Sequence, residues 1–338
     1  MAWWQVLLFP FAIIYDIITS CRNWLYDIGI LKSWKFPNVK IISVGNLSVG
    51  GTGKTPMVEY LIRKGVSSGK SIAVLSRGYG RETKGLRLVS DKENASTVGD
   101  EPYSYFLQFG ENIKVVVAEK RVEGIQFIAS NFRNVELIIL DDAFQHRSVC
   151  PDFSILLTTF ERPFWKDFVL PSGLLRESRK GARRADQVVV TKAPDAWARM
   201  SANFSNESSL CITSVKYGEL RMVNGDYTDA DVYVIAGLAD NAPFFIQTRS
   251  IYNVVECYSF RDHMQYRKND LLPIVNKAKD RGAVIITSFK DAVKLMNAET
   301  FKDVTWGYIP IEVKFLKGEA ELNKKLAPYF DTALQTEH

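Results

Sequence analysis

A glycine-rich octapeptide set between two segments of different periodicity constrains this chain more than any other feature. Residues 40–45 (KIISVG) are a short β-rich run ending on glycine, and residues 55–64 (TPMVEYLIRK) read as a helix with Pro56 in its first turn. Between them stand Ser48, Val49, Gly50, Gly51, Thr52, Gly53, Lys54 and Thr55. Strand, glycine turn and helix in that order form the setting of a phosphate-binding loop, or P-loop. Glycines let backbone N–H groups turn inward around phosphate oxygens, and the helix N-terminus adds its partial positive charge. Lys54 is placed to bridge the β- and γ-phosphates, and the Thr55 hydroxyl to ligate Mg²⁺. The strict pattern has glycine where Ser48 stands, so this loop is a variant.

A P-loop also needs a carboxylate at a second strand end to hold the metal. Residues 135–140 (VELIIL) form a continuous apolar run of the buried parallel type and end in Asp141 and Asp142, the expected Mg²⁺ ligands beside Thr55. Further β-rich runs at 71–76, 113–117, 153–157 and 187–191, separated by helix-like stretches, predict a P-loop NTPase-like α/β fold. Its sheet is doubly wound and mostly parallel, with ligands at the carboxyl ends of the strands. A second β/α series at 232–235, 253–258 and 283–287 predicts a smaller α/β domain, which the length of 338 residues accommodates. The expected division is an N-terminal helix at 1–25, a P-loop core at 26–210, a β connector at 211–230 with strands around Gly218, and the smaller domain at 231–338.

The net charge of +5 suits anionic small molecules or a lipid headgroup surface better than a nucleic acid, and no feature calls for an obligate protein partner. Cys21, Cys150, Cys211 and Cys257 show no CxxC spacing, so neither a zinc site nor a disulfide framework is expected. Residues 3–18 are strongly apolar but run unbroken only from 6 to 15, against roughly 20 residues for a bilayer span. Ile18-Thr19-Ser20-Cys21 looks like a lipoprotein cleavage box, but no Lys or Arg precedes it and Pro10 and Asp16 interrupt the run. Two readings stay open: an interfacial helix flanked by indoles, or a helix packed on its own domain. Arg176, Arg179, Lys180, Arg183 and Arg184 follow helical spacing, which would align five cations on one face toward an anionic surface or a substrate phosphate.

The motifs form an ordered series: VGNLSVGGTGKTP at 44–56, SRGYGR at 76–81, VGDEP at 98–102, DDAFQHR at 141–147, LPSGLLRE at 170–177, IAGLADNAPFF at 235–245, SFRDH at 259–263 and KDAVK at 290–294. The series resembles the tetraacyldisaccharide 4′-kinase family of lipid A synthesis. It departs from that family's pattern at Ala143, at Met264 and at Ser288-Phe289. The resemblance implies an ATP- and Mg²⁺-dependent kinase acting on a lipid disaccharide at the cytoplasmic face of the inner membrane of a Gram-negative bacterium. It implies Asp100 as the catalytic acid–base group, which sequence alone reads as a helix N-cap or first-turn acid. It also implies that His263, in Asp262-His263, pairs with Asp100, which would place a catalytic group on each domain and require closure around substrate. Arg77, Tyr79, Glu101, Arg121, His146, Arg176 and Glu177 are further candidates for phosphate or substrate contact, although surface salt bridges are the ordinary fate of arginine.

Two other P-loop classes are disfavoured by single residues. A membrane-associated positioning or partitioning ATPase would carry a signature lysine where Val49 stands. A GTPase would complete Thr191-Lys192 with an aspartate two residues on, where Pro194 stands.

Overall fold

The computed structural model describes residues 3–197 and 210–331. Strand β1 (Lys40–Asn46) lies at the centre of a nine-stranded sheet, and all its residues except Lys40 are buried. The other strands of this sheet are β2 (Ile72–Ser76), β3 (Arg87–Leu88), β4 (Ile113–Val117), β5 (Leu137–Asp141), β6 (Phe153–Thr159), β7 (Gln187–Thr191), β8 (Cys211–Tyr217) and β14 (Ile311–Lys317). Their order is β14-β8-β7-β6-β1-β5-β2-β4-β3, with every pairing parallel except those of the two edge strands β14 and β3. The central strands are apolar throughout because both faces are covered. Successive residues point to opposite faces, so Ile42 packs with Met57, Leu61 and Ile62 of the helix Lys54–Ser67, while Ile41 packs with Ile125 and Ile128 of the helix Arg121–Asn131.

The smaller sheet contains β9 (Arg221–Asn224), β10 (Val232–Ala236), β11 (Val254–Ser259), β12 (Val284–Ser288) and β13 (Trp306–Ile309) in the order β11-β10-β12-β13-β9. Two expectations are corrected here. The predicted connector does not form a unit of its own, because β8 pairs in the large sheet and β9 in the small one. Nor does the smaller unit run to 338: β14 pairs antiparallel with β8, and the helix Glu319–Phe330 buries Leu322, Leu326 and Phe330 in the core of the large sheet. The reason is local. Val313 and Phe315 alternate on the face toward the helix Lys54–Ser67, where the Phe315 ring meets Tyr60 at 4.9 Å and the Tyr60 hydroxyl donates to Asn323 at 2.8 Å. The chain therefore crosses between sheets twice, and the crossings touch, with Gly218 N donating to Pro310 O at 2.9 Å.

The N-terminal helix is Trp3–Asp27, and no helix among the described residues is long and apolar enough to cross a membrane. Its polar residues face the protein: the Tyr15 hydroxyl donates to Arg176 O at 3.0 Å and Asn23 Nδ2 to Glu177 at 2.5 Å. Its apolar residues face outward, with Leu7, Phe11, Ile14 and Ile18 more than half exposed along one side. The expected basic helix at 176–184 is also corrected. Only a 3₁₀ turn, Arg179–Arg184, forms there, and its cations diverge: Arg176 turns to Asp142, Arg179 to the Asp167 carbonyl and Arg184 to Glu177.

One buried acid on the P-loop helix offers a check on this packing. Burial pushes the Glu59 carboxyl up to about 7 despite the pull of Arg63 and Gln108. The folded state thus holds a proton that the unfolded chain releases above its ordinary value of 4.5, so stability falls as pH rises from there toward 7. Glu59→Gln should raise the unfolding temperature by roughly 2–4 °C at pH 8 and lose that advantage near pH 4.5 in thermal melts.

Candidate active site

The loop after β1 is fastened on both sides before the helix begins. Val49 N donates to Leu174 O at 2.8 Å, Asn46 Nδ2 to Thr52 Oγ1 at 2.7 Å, and Thr191 Oγ1 to Thr52 O at 2.8 Å. Gly50 and Gly53 take φ of 103° and 82°, which a side chain would oppose, and Gly53 caps the helix from that left-handed conformation. Ser48, Val49, Gly51, Thr52 and Thr55 complete the cradle, from which Lys54 points toward Asp142 with Nζ 3.8 Å from Oδ1.

Asp141 and Asp142 end β5 as expected, and they do different things. Asp141 is fully buried; its Oδ2 accepts from Ser76 Oγ at 3.2 Å, while Oδ1 has no hydrogen-bond partner among the described residues. Burial, then Glu101 and Asp142, drive its carboxyl well above the usual range. Asp142 sits at φ 46°, and Arg176 Nη1 reaches both its oxygens at 3.1 Å; burial opposes its ionisation, but Lys54 and Arg176 hold it below its ordinary value. Thr55 Oγ1 donates to Glu101 Oε1 at 3.1 Å. An orphaned buried carboxylate oxygen, a second carboxylate and a hydroxyl at the foot of a glycine cradle fit Mg²⁺, which keeps several waters and binds one or two carboxylates together with phosphates.

Across the cleft stands the second cluster. Asp100 opens the helix Asp100–Phe109 after Gly99, whose φ is 94° and where a Cβ would lie 3.0 Å from the Gly78 Cα, so the 76–81 turn and the 98–102 turn meet through two glycines. Asp100 Oδ2 lies 3.0 Å from His263 Nδ1 and 3.9 Å from Lys294 Nζ. Burial disfavours the charged carboxylate, but the His263 hydrogen bond and the charges of His263, Lys290 and Lys294 outweigh it and hold Asp100 at about 2. His263 is raised by its bond to Asp100, against burial and Lys290. Its backbone takes φ 56°, its N–H donates to Asp262 Oδ1 at 3.0 Å, and Tyr79 meets its ring edge-on at 5.5 Å.

One cavity of about 890 Å³ runs from Tyr15, Thr19 and Arg22 of the N-terminal helix past the P-loop and Asp142 to Asp262, His263 and Lys290, while Asp141 and Asp100 lie buried behind its lining. Arg77, Tyr79, Glu101, His146 and Arg176 line it too. His146 is held down at about 4 by burial and by the positive field of Arg121, Arg77 and Arg22, so it faces the cavity as a neutral ring. Two candidates lie beneath the site and not in it. Arg121 is buried and donates to the carbonyls of Ala118 at 2.6 Å and Asp141 at 3.1 Å, fixing the end of β5. Glu177 is buried too, and gathers Asn23, Gln145 and Arg184. Sequence reasoning missed Lys290, which bonds Asp262 Oδ1 at 2.7 Å, and Lys192, which stands at φ 59° beside Gly51. The KDAVK and Thr191-Lys192 motifs held the only signal for them.

Comparison with known proteins gives one answer. The family model described as tetraacyldisaccharide-1-P 4′-kinase matches residues 4–331. A tetraacyldisaccharide 4′-kinase of Flavobacterium psychrophilum is 41% identical over 96% of this chain and 97% of its own, and one of Flavobacterium johnsoniae is 39% identical over 97% and 98%. The crystal structure of the "apo" form of LpxK from Aquifex aeolicus in complex with ATP superposes with a TM-score of 0.76 at 33% identity, covering 96% of this chain and 99% of that one.

The orphaned Asp141 oxygen yields a measurable consequence. In EDTA at pH 8, Asp141→Asn should melt no lower than the wild type, since the variant no longer buries a charge. Added Mg²⁺ and ATP should raise the wild-type melting temperature and leave the variant within about 1 °C of its EDTA value. A wild type that melts higher than the variant in EDTA would mean that the carboxylate has a structural partner.

Proposed function

The chain belongs to the tetraacyldisaccharide-1-phosphate 4′-kinase family, and from that premise we propose how its residues divide the work. It is an ATP-dependent kinase that transfers the γ-phosphoryl group to the 4′-hydroxyl of tetraacyldisaccharide 1-phosphate. The observation that carries the residue roles is a cavity lined both by the P-loop with Asp142 and by His263, whose Nδ1 lies 3.0 Å from the buried Asp100 carboxylate.

In this reading the backbone of 48–53 cradles the phosphates, and Lys54 moves from Asp142 onto them as they bind. Asp141, Asp142 and Thr55 would hold Mg²⁺, which would supply charge neutralisation to the phosphates. Freed of Lys54, Asp142 keeps Arg176 as its cation, while Arg77 faces the cavity as a further positive group for the migrating phosphoryl. Asp100 takes the proton of the attacking hydroxyl. His263 orients that carboxylate through Nδ1, and Asp262 fixes His263 in turn through its backbone N–H. Because the Asp100 carboxyl lies far below neutrality, it is ionised throughout the physiological range and accepts the proton only as the new O–P bond makes that hydroxyl strongly acidic.

The substrate's acyl chains place the reaction at a lipid surface, and the outward apolar side of the helix Trp3–Asp27 is the part of the molecule suited to lie in one. The same reading puts the enzyme on the cytoplasmic face of the inner membrane, where ATP is available.

Transfer of label from γ-labelled ATP to tetraacyldisaccharide 1-phosphate in detergent should be lost by about 10²-fold or more in Asp100→Ala and in Lys54→Ala. Steady phosphate release without labelled lipid would mean that water is the acceptor. Vesicle flotation tests the surface: the double variant Phe11→Asp with Ile18→Asp should stay in the unbound fraction, and its retention on vesicles would exclude the helix as the contact.

A further inference from the structure

The Asp100–His263 pair carries an unassigned neighbour. Lys290, from the helix Phe289–Leu295, places Nζ 2.7 Å from Asp262 Oδ1 and 3.3 Å from His263 Nε2. An ammonium has three donors and no lone pair, so the contact to Nε2 is a hydrogen bond only if that nitrogen is bare. Nδ1, at 3.0 Å from Asp100 Oδ2, then carries the ring's single proton and donates it to the carboxylate. We propose that Lys290 is a positioning residue for this reaction: its donation to Nε2 holds His263 neutral, with the proton on Nδ1 and facing Asp100.

The surrounding charges make Lys290 the deciding group. Asp100, and Asp262 with Oδ2 3.8 Å from Nε2, both favour a doubly protonated, cationic ring. Lys294 sits 3.9 Å from Asp100 Oδ2, the same oxygen that faces Nδ1, Tyr79 brings an aromatic ring, and Glu101 helps to hold Lys290 charged against its burial. Lys290 is thus the cation set directly against the second ring proton, and Asp262 fixes it there while also holding the His263 backbone.

With Nε2 capped, the ring is barred from acting as the base. As the bond from the sugar oxygen to phosphorus forms and the bond from phosphorus to ADP breaks, the hydroxyl proton passes to the Asp100 carboxylate, and the Nδ1 proton stays where it is. The inference rests on the Asp100–His263 reading given above, and the experiment separates the two.

Long-range ¹⁵N–¹H spectra of the full-length enzyme in detergent report the ring form directly. The chain has only His146, His263 and His338, and His263→Asn identifies the His263 signals. At pH 8 the wild type should show His263 neutral with its proton on Nδ1. A neutral ring protonated on Nε2, or a cationic ring, would overturn the proposal without any variant of Lys290. In Lys290→Met the His263 titration, and with it the acid limb of kcat/KM, should move up by about one pH unit or more, with KM for ATP changed less than twofold. Lys290→Arg should restore the wild-type titration. An unmoved His263 titration in Lys290→Met sinks the role of Lys290 alone, whereas full kcat in His263→Asn would sink the pairing on which it rests.

Discussion

Repulsion between two neighbouring carboxylates organises this molecule's centre. Asp141 and Asp142 end a strand that is otherwise apolar and inaccessible, and neither charge could persist there unaided. The surroundings answer each one differently. Arg121 braces the backbone from below, Lys54 and Arg176 neutralise Asp142 from the cleft, and Asp141 is left with an oxygen that no described residue satisfies. An unsatisfied buried carboxylate oxygen is the feature on which the proposed Mg²⁺ role of Asp141 rests. The glycine cradle, the P-loop helix and the loop of Arg176 all take their positions around this one electrostatic problem.

The N-terminal helix shows a second inversion. Surface helices ordinarily turn apolar residues inward; this one attaches through Tyr15 and Asn23 and leaves its apolar side outside. Its attachment points, Arg176 and Glu177, belong to the segment whose arginine neutralises Asp142, so the helix is joined mechanically to the phosphate site.

Much of this was legible in the sequence because it is written locally. The strands Ile113–Val117 and Gln187–Thr191 have the bounds expected from their apolar runs, and the P-loop, Asp142 and His263 line one cavity, with Asp141 and Asp100 buried against it. What escaped depends on distant partners. Nothing in the 311–317 segment says which sheet its alternating face will meet. The spacing of Arg176, Arg179, Lys180, Arg183 and Arg184 fits a helix, but Ser178 caps a tight turn and three of the arginines find separate acceptors. Arg121 and Glu177 resemble any exposed charged residues until the buried carbonyls and amides around them are known. Lys290 acquires a meaning only once His263 has been brought to Asp100 by the meeting of two separately built sheets.

That meeting has a chemical consequence. Asp100 is anchored with the large sheet and His263 follows β11, an edge strand of the small one, while the chain passes between them only at the paired crossings of Gly218 and Pro310. The groups that hold Asp100 ionised, His263, Lys290 and Lys294, all belong to the segment between those crossings, whereas the 48–55 loop follows β1 of the large sheet. In the proposed reading, everything that prepares the acceptor's base is thus supplied across the meeting of the two sheets, and that meeting is what ties the base to the nucleotide loop.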